Sequence, residues 1–105
     1  MKQGQETRLY MKKQLCTDEV LDTKEYLCSV LSYDLNKECI YLVLESETLS
    51  DISLDAIYEC QIREEQHRTI STGRIRQRYQ NQYGDILEFH IENGFYKINI
   101  KLVDK

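Results

Sequence analysis

The sequence contains no proline, no tryptophan and only four glycines in 105 residues. No Pro- or Gly-rich stretch marks a linker, and the length suits one domain rather than two. Nowhere does an apolar run approach the ~18 residues that a membrane-crossing helix needs. Residues Met1 to Lys13 lack the apolar segment of a secretion signal. Cys16, Cys28, Cys39 and Cys60 include no C-x-x-C pair, and none sits beside a histidine in the sequence. Neither a zinc site nor a thioredoxin-like motif is therefore indicated. A cytoplasmic protein with reduced thiols is expected; two structural disulfides in a secreted domain is the rival reading.

An excess of positive charge is missing as well. Fourteen Lys and Arg stand against eighteen Asp and Glu, a net charge of −4. That balance argues against a general nucleic-acid or anionic-membrane binder. The charge is uneven: residues 1–55 carry 6 basic and 11 acidic side chains, and residues 56–105 carry 8 and 7. Positive potential therefore gathers in the second half.

What the chain does have is tyrosine, eight of them, in segments of alternating polarity. Tyrosine suits half-buried sheet faces, with the ring packed and the hydroxyl wet. Residues 1–6 are polar and expected to fray. Thr7 to Lys13 reads as a short strand, with Leu9 and Met11 on one face and Arg8, Tyr10 and Lys12 on the other. Gln14 to Lys24 is an acidic connector with Val20-Leu21 as anchor. Glu25 to Tyr33 and Glu38 to Glu45 read as a hairpin around Asp34-Leu35-Asn36-Lys37, with Tyr33 opposite Glu38 and both faces largely apolar. Ser46 to Asp55 is an irregular link whose Leu49, Ile52 and Leu54 are expected to plug the core. Ala56 to Arg63 alternates again, with Ala56, Tyr58, Cys60 and Ile62 on one face.

The most patterned stretch is Thr72 to Val103. Thr72, Arg74, Arg76 and Arg78 share one face of a strand, and Gln80 to Asp85, with Gly84, turns into the next. Asn93-Gly94 then signals a type I′ hairpin. Its register sets Ile91 opposite Tyr96, Phe89 opposite Ile98 and Leu87 opposite Ile100, with Glu88, His90 and Glu92 on the polar face beside the arginines. Six or seven short strands in one domain must bury a face and manage their edges. A small antiparallel all-β barrel, closed or partly split, does both; a two-sheet sandwich is the alternative.

Arg74, Arg76 and Arg78 are the candidate ligand-binding residues, since guanidiniums about 7 Å apart along a strand can fork-bind phosphates or carboxylates. The competing reading is a solvated face neutralised by Glu88 and Glu92. Arg74-Ile-Arg-Gln-Arg78 contains R-x-x-x-R, and Asp51-Ile-Ser-Leu-Asp-Ala56 contains D-x-S-x-x-A. These resemble the R-x-x-x-R and [D/N]-x-S-x-x-G motifs of the PilZ family, β-barrel receptors for cyclic di-GMP. Here their order is reversed and Ala56 stands where that family has glycine. In strand pattern the chain is similar to the companion barrel preceding PilZ in flagellar-brake proteins, which does not itself hold the nucleotide motif. The resemblance thus implies a barrel and does not by itself carry nucleotide binding across.

His90, next to Glu88 and Glu92 on one strand face, could offer a metal only a few exposed ligands, so no metal site is expected. Cys28, Cys39 and Cys60 lie in apolar patterns where thiols are usually inert, and Cys16 neighbours Asp18 and Glu19, which raise its pKa. No catalytic constellation and no cofactor motif appears. The expectation is a non-enzymatic binding module that docks a protein partner or a second copy of itself. The alternative is an anion or cyclic-dinucleotide receptor using Arg74, Arg76 and Arg78.

Overall fold

The computed structural model describes residues 3–15, 24–34 and 36–99, the last seven (93–99) as backbone only. Six strands are present: β1 (Glu6–Gln14), β2 (Glu25–Asp34), β3 (Cys39–Leu44), β4 (Ala56–Arg63), β5 (His67–Asn81) and β6 (Gly84–Asn99). They form a closed antiparallel barrel in the order β1-β2-β3-β6-β5-β4. Closure leaves the two-sheet alternative aside. Cys16, Val20 and Leu21 lie outside the described residues.

Alternation builds the core. Leu9 and Met11 of β1, Tyr26, Cys28 and Val30 of β2, Ile40, Leu42 and Leu44 of β3, and Ala56, Tyr58, Cys60 and Ile62 of β4 all face inward and are buried. Ile75, Leu87 and Phe89 complete the cluster from β5 and β6. Tyr26 and Tyr58 meet edge to face, their ring centroids 6.4 Å apart. The chain ahead of β1 is tied down rather than frayed at Gly4 and Gln5: the Gly4 N–H donates to the Val30 carbonyl at 2.6 Å, and Val30 N–H donates to the Gln5 carbonyl at 3.0 Å.

One end of the barrel is stoppered by the link before β4. A single 3-10 turn, Leu49–Asp51, opens with Thr48, whose N–H and hydroxyl both donate to Asp51 Oδ2 at 3.0 Å. Ile52 follows and enters the core at 1% exposure. The wall holds the stopper's backbone by three polar tips. The Tyr26 hydroxyl donates to the Asp51 carbonyl at 3.2 Å, Arg78 Nη1 donates to the Ile52 carbonyl, and the Tyr58 hydroxyl accepts from Ser53 N–H at 3.0 Å. Buried tyrosine is economical in this role because its ring fills volume while its hydroxyl satisfies a backbone group. Leu49 packs on the core as expected, whereas Leu54 is exposed and plugs nothing.

Two register expectations are overturned. In the β2–β3 hairpin, Asp34 pairs with Cys39 and Tyr33 with Ile40, and a bulge between Val30 and Ser32 shifts the phase again. The Asp34 carboxylate accepts from Asn36 N–H, and Glu38 takes φ 52, so the turn keeps its expected four residues but is shifted one place along the chain, to 35–38. Val30 is inside in phase with Tyr26 and Cys28 ahead of the bulge, and past it Ser32 and Tyr33 are exposed, so β2 has one core face.

The larger correction is at Asn93-Gly94, where no hairpin forms: β6 runs straight through it. Both edges of Asp85 to His90 are already occupied, by β3 on one side and β5 on the other. A returning strand would have no edge to pair with. The chain instead continues along the first half of β5, with Ile70 opposite Tyr96 and Arg68 opposite Ile98. The extra residues are absorbed as bulges, since Thr72 faces Asn93 while Gly73 faces Ile91. The real hairpin is at Asn81–Gly84, where Gly84 adopts φ 121 and the Asn81 side chain accepts from Tyr83 N–H at 2.8 Å.

Candidate functional site

A third bulge, between Ile75 and Gln77, decides the fate of the arginines. Before it, Ile75 faces Phe89 on the core side, so Arg74 points outward. After it, Arg78 faces Leu87, another core residue. Arg78 has thus crossed to the inner phase, which is why it reaches the Ile52 carbonyl at the barrel end. Arg74 stays outside and binds Glu92 through Nε at 2.8 Å, as the sequence suggested. Arg76, exposed at the bulge, makes no hydrogen bond or ion pair with the described residues. The three residues singled out in the sequence are therefore not one row: one is structural, one is paired and one is free.

The outer face of β5 instead carries Arg68, Ile70, Thr72, Arg74 and Arg76, spanning about 25 Å at the usual strand rise. Beside it, Arg63 of β4 stands directly opposite Arg68. With Glu6, Arg8, Tyr10 and Gln61 they line a small cavity of about 140 Å³. Arg8 is taken up by acids: its Nη1 lies 2.7 Å from Glu25 and its Nη2 3.0 Å from Glu6. The Tyr10 hydroxyl also donates to Glu25 at 2.7 Å. The Tyr10 bond and the Arg8 guanidinium hold the Glu25 carboxyl below its ordinary range. Arg63 and Arg68 have no carboxylate bound among the described residues. Like charges directly opposite on an antiparallel pair are destabilising, so this pair is a place where an anion is favoured. The sequence hides it because Glu64 to Arg68 reads there as a charged turn, whereas β5 already begins at His67, and Arg8 comes from a strand distant in sequence. Only the β1–β4 and β4–β5 registers bring Arg8, Arg63 and Arg68 together.

A second cluster lies on the outer face where β3 meets β6. Cys39 pairs with His90, and Tyr41 with Glu88. His90 Nε2 lies 2.8 Å from Glu88 Oε1. Burial pushes the Cys39 thiol up, and Tyr41 is pushed up to about 12 by the neighbouring Cys39. Cys28 and Cys60 lie on the other side of the wall, inside the core, where burial raises both thiols, Cys28 to about 12. The three described cysteines are free.

No protein-family model, curated protein or solved structure matches the chain. Among the described residues no helix is long and apolar enough to cross a membrane.

Proposed function

We propose that the protein is a non-enzymatic binding module that holds an extended acidic segment of a partner protein along the outer face of β4 and β5. The observation that carries this reading is the Arg63–Arg68 pair, two arginines directly opposite on neighbouring strands and lining one hollow, neither bound to a carboxylate among the described residues. Arg76, free at the far end of the same face, extends the positive track. A barrel interior filled by a cluster of buried apolar side chains supports recognition on the outside. The arrangement favours a segment over a compact nucleotide: the free arginines are spread along a strand, and the larger hollow that Arg63 also borders, about 500 Å³, is lined by Glu64 and Glu65 as well. A short acidic segment meets only the local arginines, whereas a long nucleic acid would also meet the rest of a surface whose net charge is −4. Free thiols suit the reducing cytoplasm.

Fluorescence anisotropy with a labelled twelve-residue Asp/Glu-rich peptide tests the reading, with cyclic di-GMP and oligo(dT) in parallel. Binding is expected at low salt and should fade as salt screens it. It should weaken by about tenfold or more in an Arg63→Ala/Arg68→Ala variant, since each lost charged hydrogen bond costs roughly 1.5–3 kcal/mol. No peptide binding at low salt would overturn the proposal, as would equal binding by the variant or tighter binding of cyclic di-GMP at these arginines. Light scattering distinguishes a second copy of the chain as the acidic partner.

A further inference from the structure

We propose that Cys39, Glu88 and His90 form a site for a zinc-type divalent cation on the outer face of the β3–β6 seam. The Cys39 thiol, a Glu88 carboxylate oxygen and a His90 ring nitrogen all lie within 4.8 Å of one another. Register brings them there. Cys39 is directly opposite His90, and Glu88 sits two residues before His90 on the same side of β6. Ile40, Leu87 and Phe89, the intervening residues, point into the core, so the cluster belongs to the outside of the wall.

The geometry is close to what a tetrahedral ion asks for. Zinc holds sulfur at about 2.3 Å and nitrogen or oxygen at about 2.0–2.2 Å, which sets neighbouring ligand atoms about 3.3–3.6 Å apart. His90 Nε2 and Glu88 Oε1, now 2.8 Å apart in a hydrogen bond, need to separate by less than 1 Å to admit it. Both side chains are partly solvent-exposed, at 24% and 18%, so this movement is open to them, and the ion reaches the buried Cys39 thiol from their side. A thiolate, an imidazole and a carboxylate together suit zinc and its relatives rather than magnesium or calcium, which prefer oxygen alone. Binding converts the Cys39 thiol to a thiolate–metal bond, with the thiol proton released to solvent. Three protein ligands leave a fourth position for water. Arg74, the cation opposite His90 on β5, is already engaged by Glu92 and so opposes the metal less than a free guanidinium would.

The full-length chain titrated with Co²⁺ reports directly on thiolate ligation. One Co²⁺ per chain is expected, with a near-ultraviolet thiolate charge-transfer band and the intense visible bands of a tetrahedral ion, both displaced by Zn²⁺. Cys39→Ser should abolish the charge-transfer band. His90→Gln should weaken binding by on the order of 100-fold or more, since even outer-shell partners of metal ligands are worth 10–100-fold. His90 is a partly exposed residue, so this variant keeps the test decisive if Cys39→Ser does not fold; circular dichroism confirms its fold. Absence of the thiolate band at saturating Co²⁺ overturns the proposal. So does a band that survives His90→Gln and is lost only in Cys16→Ser.

Discussion

β4 and β5 are neighbours in one wall, yet they follow the alternation rule differently. β4 keeps a single phase over its eight residues, with four inward side chains buried and the outward ones partly or fully exposed. β5, nearly twice as long, is thrown out of phase with β6 three times. The difference follows from what each strand must span. β4 joins a short β1 to the first half of β5. β5 must serve β4 with one half and β6 with its whole length, around a closed, tilted barrel in which bulges adjust curvature. A regular strand only separates inside from outside. A bulged strand can change which neighbours a side chain meets, and Arg78, still exposed, has been turned toward the Ile52 carbonyl.

The strongest way to break this contrast is at Gly73, where the β6 backbone leaves no room for a side chain. A Cβ there would overlap the His90 backbone carbonyl and crowd Ile91 Cα. Backbone cannot rotate aside as a side chain can. Gly73→Ala is expected to cost about 3 kcal/mol, at the upper end of overpacking penalties, read as a lowered urea midpoint with an unchanged slope. The alanine change at Gly84, where the nearest atom is a Val43 methyl at 3.5 Å, meets no such wall, although its φ of 121 strains any side chain. A stability loss at Gly73 no greater than an ordinary surface substitution would mean that the β5–β6 approach is looser than described.

Legibility in the sequence tracked the same divide. The faces of β1 and β4, the turn before Gly84 and the all-β barrel were readable because each rests on local chemistry: period-two polarity and turn residues. Asn93-Gly94 carried an equally strong local signal and misled, because whether a strand edge is vacant is a property of the whole barrel. The arginines were misread for a related reason. Arg74, Arg76 and Arg78 share a face only if no bulge intervenes, and nothing at Arg76 announces one. Cys39 with His90, and Arg63 with Arg68 and Arg8, were invisible because they meet only across strands. Gly73 was the available clue: an isolated glycine within a strand pattern marks a bulge or a close backbone approach.

A second pair of substitutions sharpens the comparison by weighing the two fates of an arginine. Arg78→Ala removes a charged donor from the Ile52 carbonyl at the barrel end; Arg78 is itself exposed, so water replaces part of the bond and the cost should be about 1 kcal/mol. Arg74→Ala removes only an exposed pair with Glu92, both side chains more than a third exposed, and should cost under about 0.5 kcal/mol and less in high salt. Thermal melts of the two variants in parallel decide it. Equal losses would show that the bulge at Arg76 does not separate structural from surface arginine.

The smallest effect is expected to carry the opposite sign. Ser71 sits on the inner phase of β5, opposite Cys60, at 1% exposure, and its hydroxyl finds no hydrogen-bond partner among the described residues. An unmatched buried hydroxyl costs roughly 1–3 kcal/mol of desolvation. Alanine removes the hydroxyl and leaves almost the same volume, so Ser71→Ala should be neutral or stabilising by up to about 1 kcal/mol. The matching change on the regular strand, Cys60→Ala, deletes a well-packed sulfur among core side chains and should destabilise. Two alanine substitutions facing each other across one ladder are thus expected to move stability in opposite directions. A destabilised Ser71→Ala would mean that the hydroxyl is bound after all, and that this part of β5 is as fully satisfied as β4.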